Sequence, residues 1–300
     1  MRVFVTGATG VLGRSAIRAL VADGHSVTGL ARSPEKAAIV HGLGVDVSLA
    51  HLFDVEQMSA ALDGFDVVCN LVTHNPVGRA SMRRSGWRVS DLLREEGSRV
   101  VATAAKEAGV RRLVQESVSL LYADAGDEWV TEDSPLCVTS AVEPSAVAEA
   151  NATQFESASH TCVILRFGQL IGDDTATRWR LTQARLGRAV GLGDPLGWAH
   201  VVHPDDAGVA VAAALTTPGG VYNVGAEPVR RAELVRVFGE VVGNPDLGFM
   251  PRLAVKVAGE RLEPLTRSLR VGSGKLHEAT GWKPVRHVLD PSWLSEVTQA

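Results

Sequence analysis

Met1 to Gly13 reads MRVFVTGATGVLG, and this stretch decides the fold. Arg2 to Thr6 is a short apolar run rich in β-branched residues, which predicts a strand. Gly7, Gly10 and Gly13 follow at the spacing G-x-x-G-x-x-G. Val11, Leu12, Ala16, Ile17, Leu20 and Val21 then recur at helical spacing until Gly24. A strand, a tight turn and a helix start, in that order, bring free backbone N–H groups and the positive end of a helix dipole to one point. Glycine leaves no Cβ there to hold off a pyrophosphate. The setting between strand and amphipathic helix, more than the glycines themselves, gives the motif its meaning. Gly7, Thr9, Gly10, Val11, Leu12 and Gly13 are therefore expected to cradle the phosphates of a dinucleotide.

Ser26 to Leu30 reads as a second strand that ends in Ala31-Arg32-Ser33. An acidic residue there would hydrogen-bond the 2′-hydroxyl of NAD and repel a 2′-phosphate, whereas a guanidinium pairs with phosphate. Ala31 holds that place with Arg32, Ser33 and Lys36 beside it, so NADP is expected in preference to NAD. The competing reading is that Arg32 and Lys36 only solvate a helix starting near Pro34. Gly44 to Phe53 reads as the third strand with its turn, and Val55 to Leu62 as a helix. Phe65 to Val72 is continuously apolar, as in a parallel sheet covered on both faces. It leads into Leu71-Val72-Thr73-His74 at the carboxyl edge, where ligands sit in open α/β sheets. Leu71, Val72 and Thr73 are expected beside the cofactor, and His74 is a candidate for proton transfer. Further on, Pro76 to Trp87 is expected to run over the surface. Val89 to Ala108 is predicted helical, Val110 to Ser117 a strand, and Pro144 the first turn of a helix running to about Ser157.

TGATGVLG resembles the cofactor loop of the short-chain dehydrogenase/reductase superfamily, in its extended form (nucleoside-sugar epimerase and dehydratase-like) or its atypical form. The resemblance extends along the chain. Leu120-Leu121-Tyr122 is similar to the family's apolar-Tyr-Gly segment, with Ala123 in place of the glycine. Cys162 to Gly172 resembles the sixth strand, Trp198 to Asp206 the return to the core, and Ser273 to Pro284 the end of extended members. The family often carries an acidic, an apolar and a second acidic residue after the third strand, the first of them touching adenine. Here His51, Leu52 and Asp54 stand instead, so that contact is changed in character. The resemblance implies an α/β fold: a Rossmann-type doubly wound parallel sheet with a smaller carboxy-terminal substrate lobe. The core would take residues 1–166 with 201–225 returning to it, and the lobe 167–200 and 226–300.

The family's reaction uses Tyr-x-x-x-Lys, in which lysine lowers the tyrosine pKa so that the phenol can exchange a proton while hydride moves. This chain lacks the pair. Its tyrosines are Tyr122 and Tyr222, with Gly126 and Ala226 four residues on; its lysines are Lys36, Lys106, Lys256, Lys275 and Lys283. By resemblance the tyrosine falls near Ala141, the lysine near Ser145, the serine at Val118 between Ser117 and Ser119, and the asparagine at Arg94. Tyr122, His74 and Ser117 remain as candidate proton donors for hydride transfer to an activated acceptor such as an enone, imine or quinone.

Composition bounds the rest. The 300 residues are 45% hydrophobic and 21% charged with a net charge of −4, which gives no basic footprint for nucleic acid. The longest apolar run, Val209 to Leu215, falls far short of a bilayer span. With no leader ahead of the first strand and three scattered cysteines, Cys69, Cys137 and Cys162, expected as reduced thiols packed like small apolar groups, a cytoplasmic protein is expected. His200-x-x-His203 with Asp205 and Asp206 lacks the helical context of zinc motifs, so no metal is expected. Trp179, Trp198, Arg178, Arg180 and Arg188 are candidates for an aromatic and cationic substrate pocket, or for plain packing of the lobe. The leading expectation is an atypical NADP-dependent oxidoreductase acting on a small-molecule substrate. Its rivals are a non-catalytic NADP sensor and a non-redox enzyme (isomerase, dehydratase or cyclase-like) on the same fold. A homodimer stays open.

Overall fold

The computed structural model describes residues 1–251, 253 and 260–298. Its centre is a seven-stranded sheet: β1 (Arg2–Thr6), β2 (Ser26–Leu30), β3 (Asp46–Ser48), β4 (Val67–Asn70), β5 (Arg112–Val118), β6 (Thr161–Phe167) and β7 (Gly220–Val224). The strands lie in the order β7-β6-β5-β4-β1-β2-β3, and every neighbouring pair is parallel. The order reverses between β1 and β4. In an open parallel sheet that switch point forms a crevice outside the strand carboxyl ends.

Strand alternation sorts the side chains between two cores. Val3 and Val5 face one side and Phe4 the other; Val67 and Cys69 oppose Val68 in the same way. The first side is covered by α1 (Val11–Ala22), α2 (Pro34–His41) and α8 (Pro204–Ala213). The second is covered by α3 (Val55–Leu62), α5 (Ser98–Glu107) and α6 (Glu143–Thr153). A separate apolar cluster gathers Ile171, Leu181, Ala199, Leu234, Phe238 and Trp293, drawing on α7 (Thr175–Arg185) and α9 (Arg231–Val242).

The stretch 76–87 runs over the surface as expected, with a helical turn at Gly78–Ala80 ahead of α4 (Arg84–Leu92). Three sequence expectations change. The helix expected from Val89 to Ala108 begins earlier, at Arg84. It is interrupted by a π-helical turn at Leu93–Gly97 before α5, and such turns often mark functional positions. Cys69 and Cys162 are buried as expected, but Cys137 is exposed, because its segment lies on the surface and is held by its own carbonyl, which accepts from Arg267 at 2.9 Å. The helix opened by Pro144 ends at Thr153, short of Ser157.

Candidate active site

The glycine turn divides its labour. Gly7 has φ +67°, and a Cβ there would lie 2.6 Å from the Leu71 carbonyl oxygen, so the turn lies directly on the segment after β4. Gly13 sits where a Cβ would come 2.1 Å from the Gly7 carbonyl oxygen, which fixes how closely α1 approaches the turn. Gly10 is different: it is exposed, and a Cβ would meet only the Gly7 carbonyl, at 3.1 Å. Gly10 is also the N-cap of α1, yet no side chain caps that helix, and its first turn holds no acidic residue. Helices α2, α3 and α7 are capped by Ser33, Asp54 and Asp174, whereas α4, α6 and α9 share the lack of a side-chain cap, so α1 is set apart by its place at the switch point. The first-turn N–H groups of Val11, Leu12 and Gly13 precede the first intrahelical bond, Arg14 N to Gly10 O at 3.0 Å. An uncapped helix start behind an open glycine, at the sheet's switch point, fits a pyrophosphate. Thr9 lends its carbonyl to Arg14 Nη1 at 3.2 Å, a contact that steadies the turn and that the glycine spacing alone gave no hint of.

The remaining cofactor positions spread along the same edge. Arg32 is exposed at the end of β2, and among the described residues no hydrogen bond or ion pair engages its side chain. Ser33 is occupied as the cap of α2, its hydroxyl accepting from Lys36 N at 3.4 Å. His51 is exposed and lies 5.9 Å from the Phe53 ring, and Leu52 is half-buried. Asp54 is engaged as the cap of α3, accepting from Gln57 N at 3.0 Å. Leu71 is buried, Val72 and Thr73 are half-buried, and His74 is exposed.

Behind the edge lies a polar chain that the sequence reading missed. Thr6 Oγ1 donates to Asn70 Oδ1 at 2.6 Å, Asn70 Nδ2 to Gln115 Oε1 at 2.8 Å, and Gln115 Nε2 to the Glu116 carbonyl at 2.7 Å. All four residues are buried, so β1, β4 and β5 are tied laterally by side chains as well as by the sheet ladder. Polar residues in otherwise apolar strands were the available signal.

Two buried ion pairs lie further along the sheet, on β5 and β6. Glu149 takes a bidentate bond from Arg166 (Nε at 2.8 Å, Nη2 at 2.7 Å) and a third, at 2.6 Å, from the Ser117 hydroxyl. Burial works against the Arg166 charge, but the Glu149 carboxylate more than compensates and raises its pKa. Arg94, on the π-helical turn, reaches Glu116 at 3.0 Å with both side chains more than nine-tenths buried. Ser117 and Tyr122 are thus fully buried with their hydroxyls committed. The Tyr122 hydroxyl donates to Asn223 Oδ1 at 2.8 Å, the Arg166 guanidinium lies 4.9 Å above its ring, and burial raises the phenol pKa. His74 alone of the three candidate donors is exposed.

The aromatic and cationic candidates of the lobe do not converge. Trp198 stacks under Arg230 at 3.9 Å, Arg178 pairs with Asp173, Arg180 reaches Gln169 at 3.1 Å, and Arg188 bonds Gln183 at 2.9 Å. His200 is buried, with no hydrogen-bond partner on either ring nitrogen among the described residues, and burial lowers its pKa to about 3. His203 caps α8 by accepting from Asp205 N at 3.2 Å. No cluster of three metal-ligating side chains occurs among the described residues.

A doubly wound parallel sheet with an uncapped glycine turn at its switch point defines a dinucleotide-binding α/β protein. Residues 7–192 match a family model described as NAD(P)H-binding. The chain belongs to that family and is an NAD(P)-dependent enzyme. It is 31% identical over 308 aligned residues to the 3-diazoavenalumate denitrifying reductase of a Streptomyces species, with 98% of each chain covered. It is 30% identical over 285 residues, covering 90% of this chain and 82% of the relative, to a Stigmatella aurantiaca protein. That relative is named 4-hydroxy-2-methyl-3-oxo-4-farnesyl-3,4-dihydroquinoline-1-oxide ketoreductase. Among solved structures it is similar to the human epimerase family protein SDR39U1 with NADPH, at a TM-score of 0.80 and 23% identity over 100% of this chain and 99% of that one. No helix among the described residues is long and apolar enough to cross a membrane.

Proposed function

We propose that this protein is an NADP-dependent reductase of a small carbonyl-like metabolite that works without a tyrosine–lysine pair. The observation that carries the reading is the uncapped start of α1 behind open Gly10, with the unengaged guanidinium of Arg32 at the end of the neighbouring strand. The first-turn N–H groups would hold the pyrophosphate, and Arg32 the 2′-phosphate, as a guanidinium does better than any neutral side chain. Leu71, Val72 and Thr73 would line the path toward the nicotinamide. When bound, the dinucleotide supplies or accepts a hydride.

The chain's own contribution is to fix the acceptor and to move one proton. Reduction of a carbonyl-like group adds hydride to carbon and a proton to the heteroatom. His74 is the candidate donor the geometry leaves open, giving the proton from an imidazole nitrogen and regaining one from water. Tyr122 and Ser117 then act as supports, one holding Asn223 and the other the Glu149 carboxylate. Two relatives named as reductases, each matched over most of its length, favour turnover over a sensor role.

Titration calorimetry with NADPH and NADH tests the reading. Arg32→Ala is expected to weaken NADPH at least tenfold, the scale of one charge-assisted bond, and NADH less than about twofold. Equal weakening of the two removes the argument for NADP, and no binding of either by the wild type removes the assignment.

A further inference from the structure

Arg84, Arg88, Asp91 and Glu95 recur at helical spacing on α4 and the π-helical turn, and together they form one wall of a cleft of about 480 Å³. Glu143, at the start of α6, and Arg261 stand across it. The volume is that of a site for a small molecule. The two helices belong to the crossovers that leave β4 and β5, so both begin on the carboxyl side of the sheet, the side of the glycine turn.

The charges in this cleft are sorted by sign. Asp91, between the two groups on the helix, pairs with Arg261 at 2.9 Å. The side chains of Arg84, Arg88, Glu95 and Glu143 make no hydrogen bond or ion pair among the described residues. Elsewhere on the surface opposite charges close on one another, as Arg99 does on Glu96 and Arg236 on Glu233. Here they stand apart: both free cations precede Asp91 on the helix, and the two free carboxylates meet beyond it. Burial raises the Glu95 carboxyl pKa, and the Asp91 and Glu143 carboxylates raise it further, with Arg261 opposing them. Two like charges held close without a counter-ion attract a cation, and two unpaired guanidiniums attract an anion. Arg88 and Glu95 are seven positions apart, or about 10 Å along the helix axis.

We propose that this cleft takes a dipolar substrate, whose carboxylate or similar anionic group lies on Arg84 and Arg88 while a cationic group of ammonium type lies on Glu95 and Glu143. The proposal rests on the reductase reading and adds to it the charge pattern of the substrate. The neutral Asp91–Arg261 pair divides the two ends, and Arg261 also holds α4 to the segment before α6 by donating to the Ala141 carbonyl at 3.4 Å. A molecule with a single charge satisfies one end of the cleft and leaves the other uncompensated.

The test uses the full chain loaded with NADPH and three probes of one length: 8-aminooctanoate, octanoate and octylamine. The wild type is expected to bind 8-aminooctanoate at least about fivefold more tightly than either single-charge probe, the scale of one well-formed ion pair. Arg84→Gln with Arg88→Gln is expected to bind it no better than octylamine, and Glu95→Gln with Glu143→Gln no better than octanoate. None of the four side chains is paired, so melting temperature and NADPH affinity should stay near wild type. The fluorescence of bound NADPH is expected to change when 8-aminooctanoate is added, as it would for a ligand seated beside the nicotinamide. A wild type that binds the three probes alike, or double variants that keep its full preference, would mean that these charges only solvate the cleft. Unchanged fluorescence would put the ligand away from the reacting end, and either result overturns the proposal. Titration of the wild type with NADPH separates the two readings, because absence of nucleotide binding would fell the reductase proposal while the probe preference of the nucleotide-free chain still decides the cleft.

Discussion

Replacing Gly10 by alanine separates nucleotide binding from folding. At φ −74° and ψ 171° the backbone of Gly10 is open to alanine, and the new Cβ would meet only the Gly7 carbonyl oxygen, at 3.1 Å, which requires a shift of a few tenths of an ångström. The reduced entropy of the unfolded chain returns about 0.4–1 kcal/mol. Stability should therefore stay within about 1 kcal/mol, or roughly 2–4 °C in melting temperature. The methyl group, however, stands on the exposed side of the turn, where it would crowd a pyrophosphate held by the first-turn N–H groups. Loss of one charge-assisted hydrogen bond to phosphate, worth about 1.5–3 kcal/mol, corresponds to a roughly 10- to 150-fold drop in NADPH affinity. Gly13→Ala is the contrast. Its Cβ falls 2.1 Å from a backbone oxygen that cannot swing away, so an overpacking cost of about 1–3 kcal/mol exceeds the helix-propensity gain of at most about 1 kcal/mol. That variant should lose stability and binding together. Gly24→Ala, at φ +77° with nothing nearby, should cost about 1–2 kcal/mol of stability and leave NADPH binding untouched. Calorimetric titration and thermal melts of the three variants decide the matter. If Gly10→Ala binds NADPH within threefold of wild type, the open glycine does not face the phosphates and the reasoning fails.

Three further outcomes follow from the buried polar groups. Glu149→Gln removes the carboxylate that serves both Arg166 and Ser117, and urea denaturation should show a loss of about 3–5 kcal/mol, the scale for stranding one partner of a buried pair. Tyr122→Phe leaves Asn223 Oδ1 without its donor and should cost about 1–3 kcal/mol in the same assay, with NADPH affinity unchanged by calorimetry. His200 is held neutral, its pKa lowered to about 3 by burial, while an unfolded histidine protonates near 6.5. Between those values the unfolded chain binds the extra proton, so stability is full above about pH 6.5 and falls as the pH drops toward 3. At pH 5 this one group should account for a loss of about 2 kcal/mol relative to pH 7. His200→Gln should flatten that part of the pH profile in urea melts.

The nucleotide half of the molecule was legible because its signals are local. Strand β1, the glycine turn and α1 fall within one stretch, so spacing alone fixes their geometry, and β1, β2 and α3 have the expected limits. The chemistry of the other half arises between segments far apart in the chain. Arg94 meets Glu116, Glu149 meets Arg166, and Tyr122 meets Asn223 only once β5, β6, β7 and α6 are side by side. Tyr122 and Ser117 looked like donors because a hydroxyl in sequence carries no label saying that another residue has taken it. The π-helical turn was illegible for a related reason: Arg94-Glu95-Glu96 reads as ordinary helix, and the turn widens only in the folded molecule, where α6 packs against it.

The Arg94–Glu116 pair also limits how this enzyme can change. Neither residue can be exchanged alone without abandoning a charge in the interior, a penalty of about 3–5 kcal/mol set against a total stability of only about 5–15 kcal/mol for a folded domain. Any exchange at this point needs both positions altered in one step. The two residues form a mutual lock, so directed evolution starting from single substitutions should find tolerated changes at exposed positions long before it alters this pair.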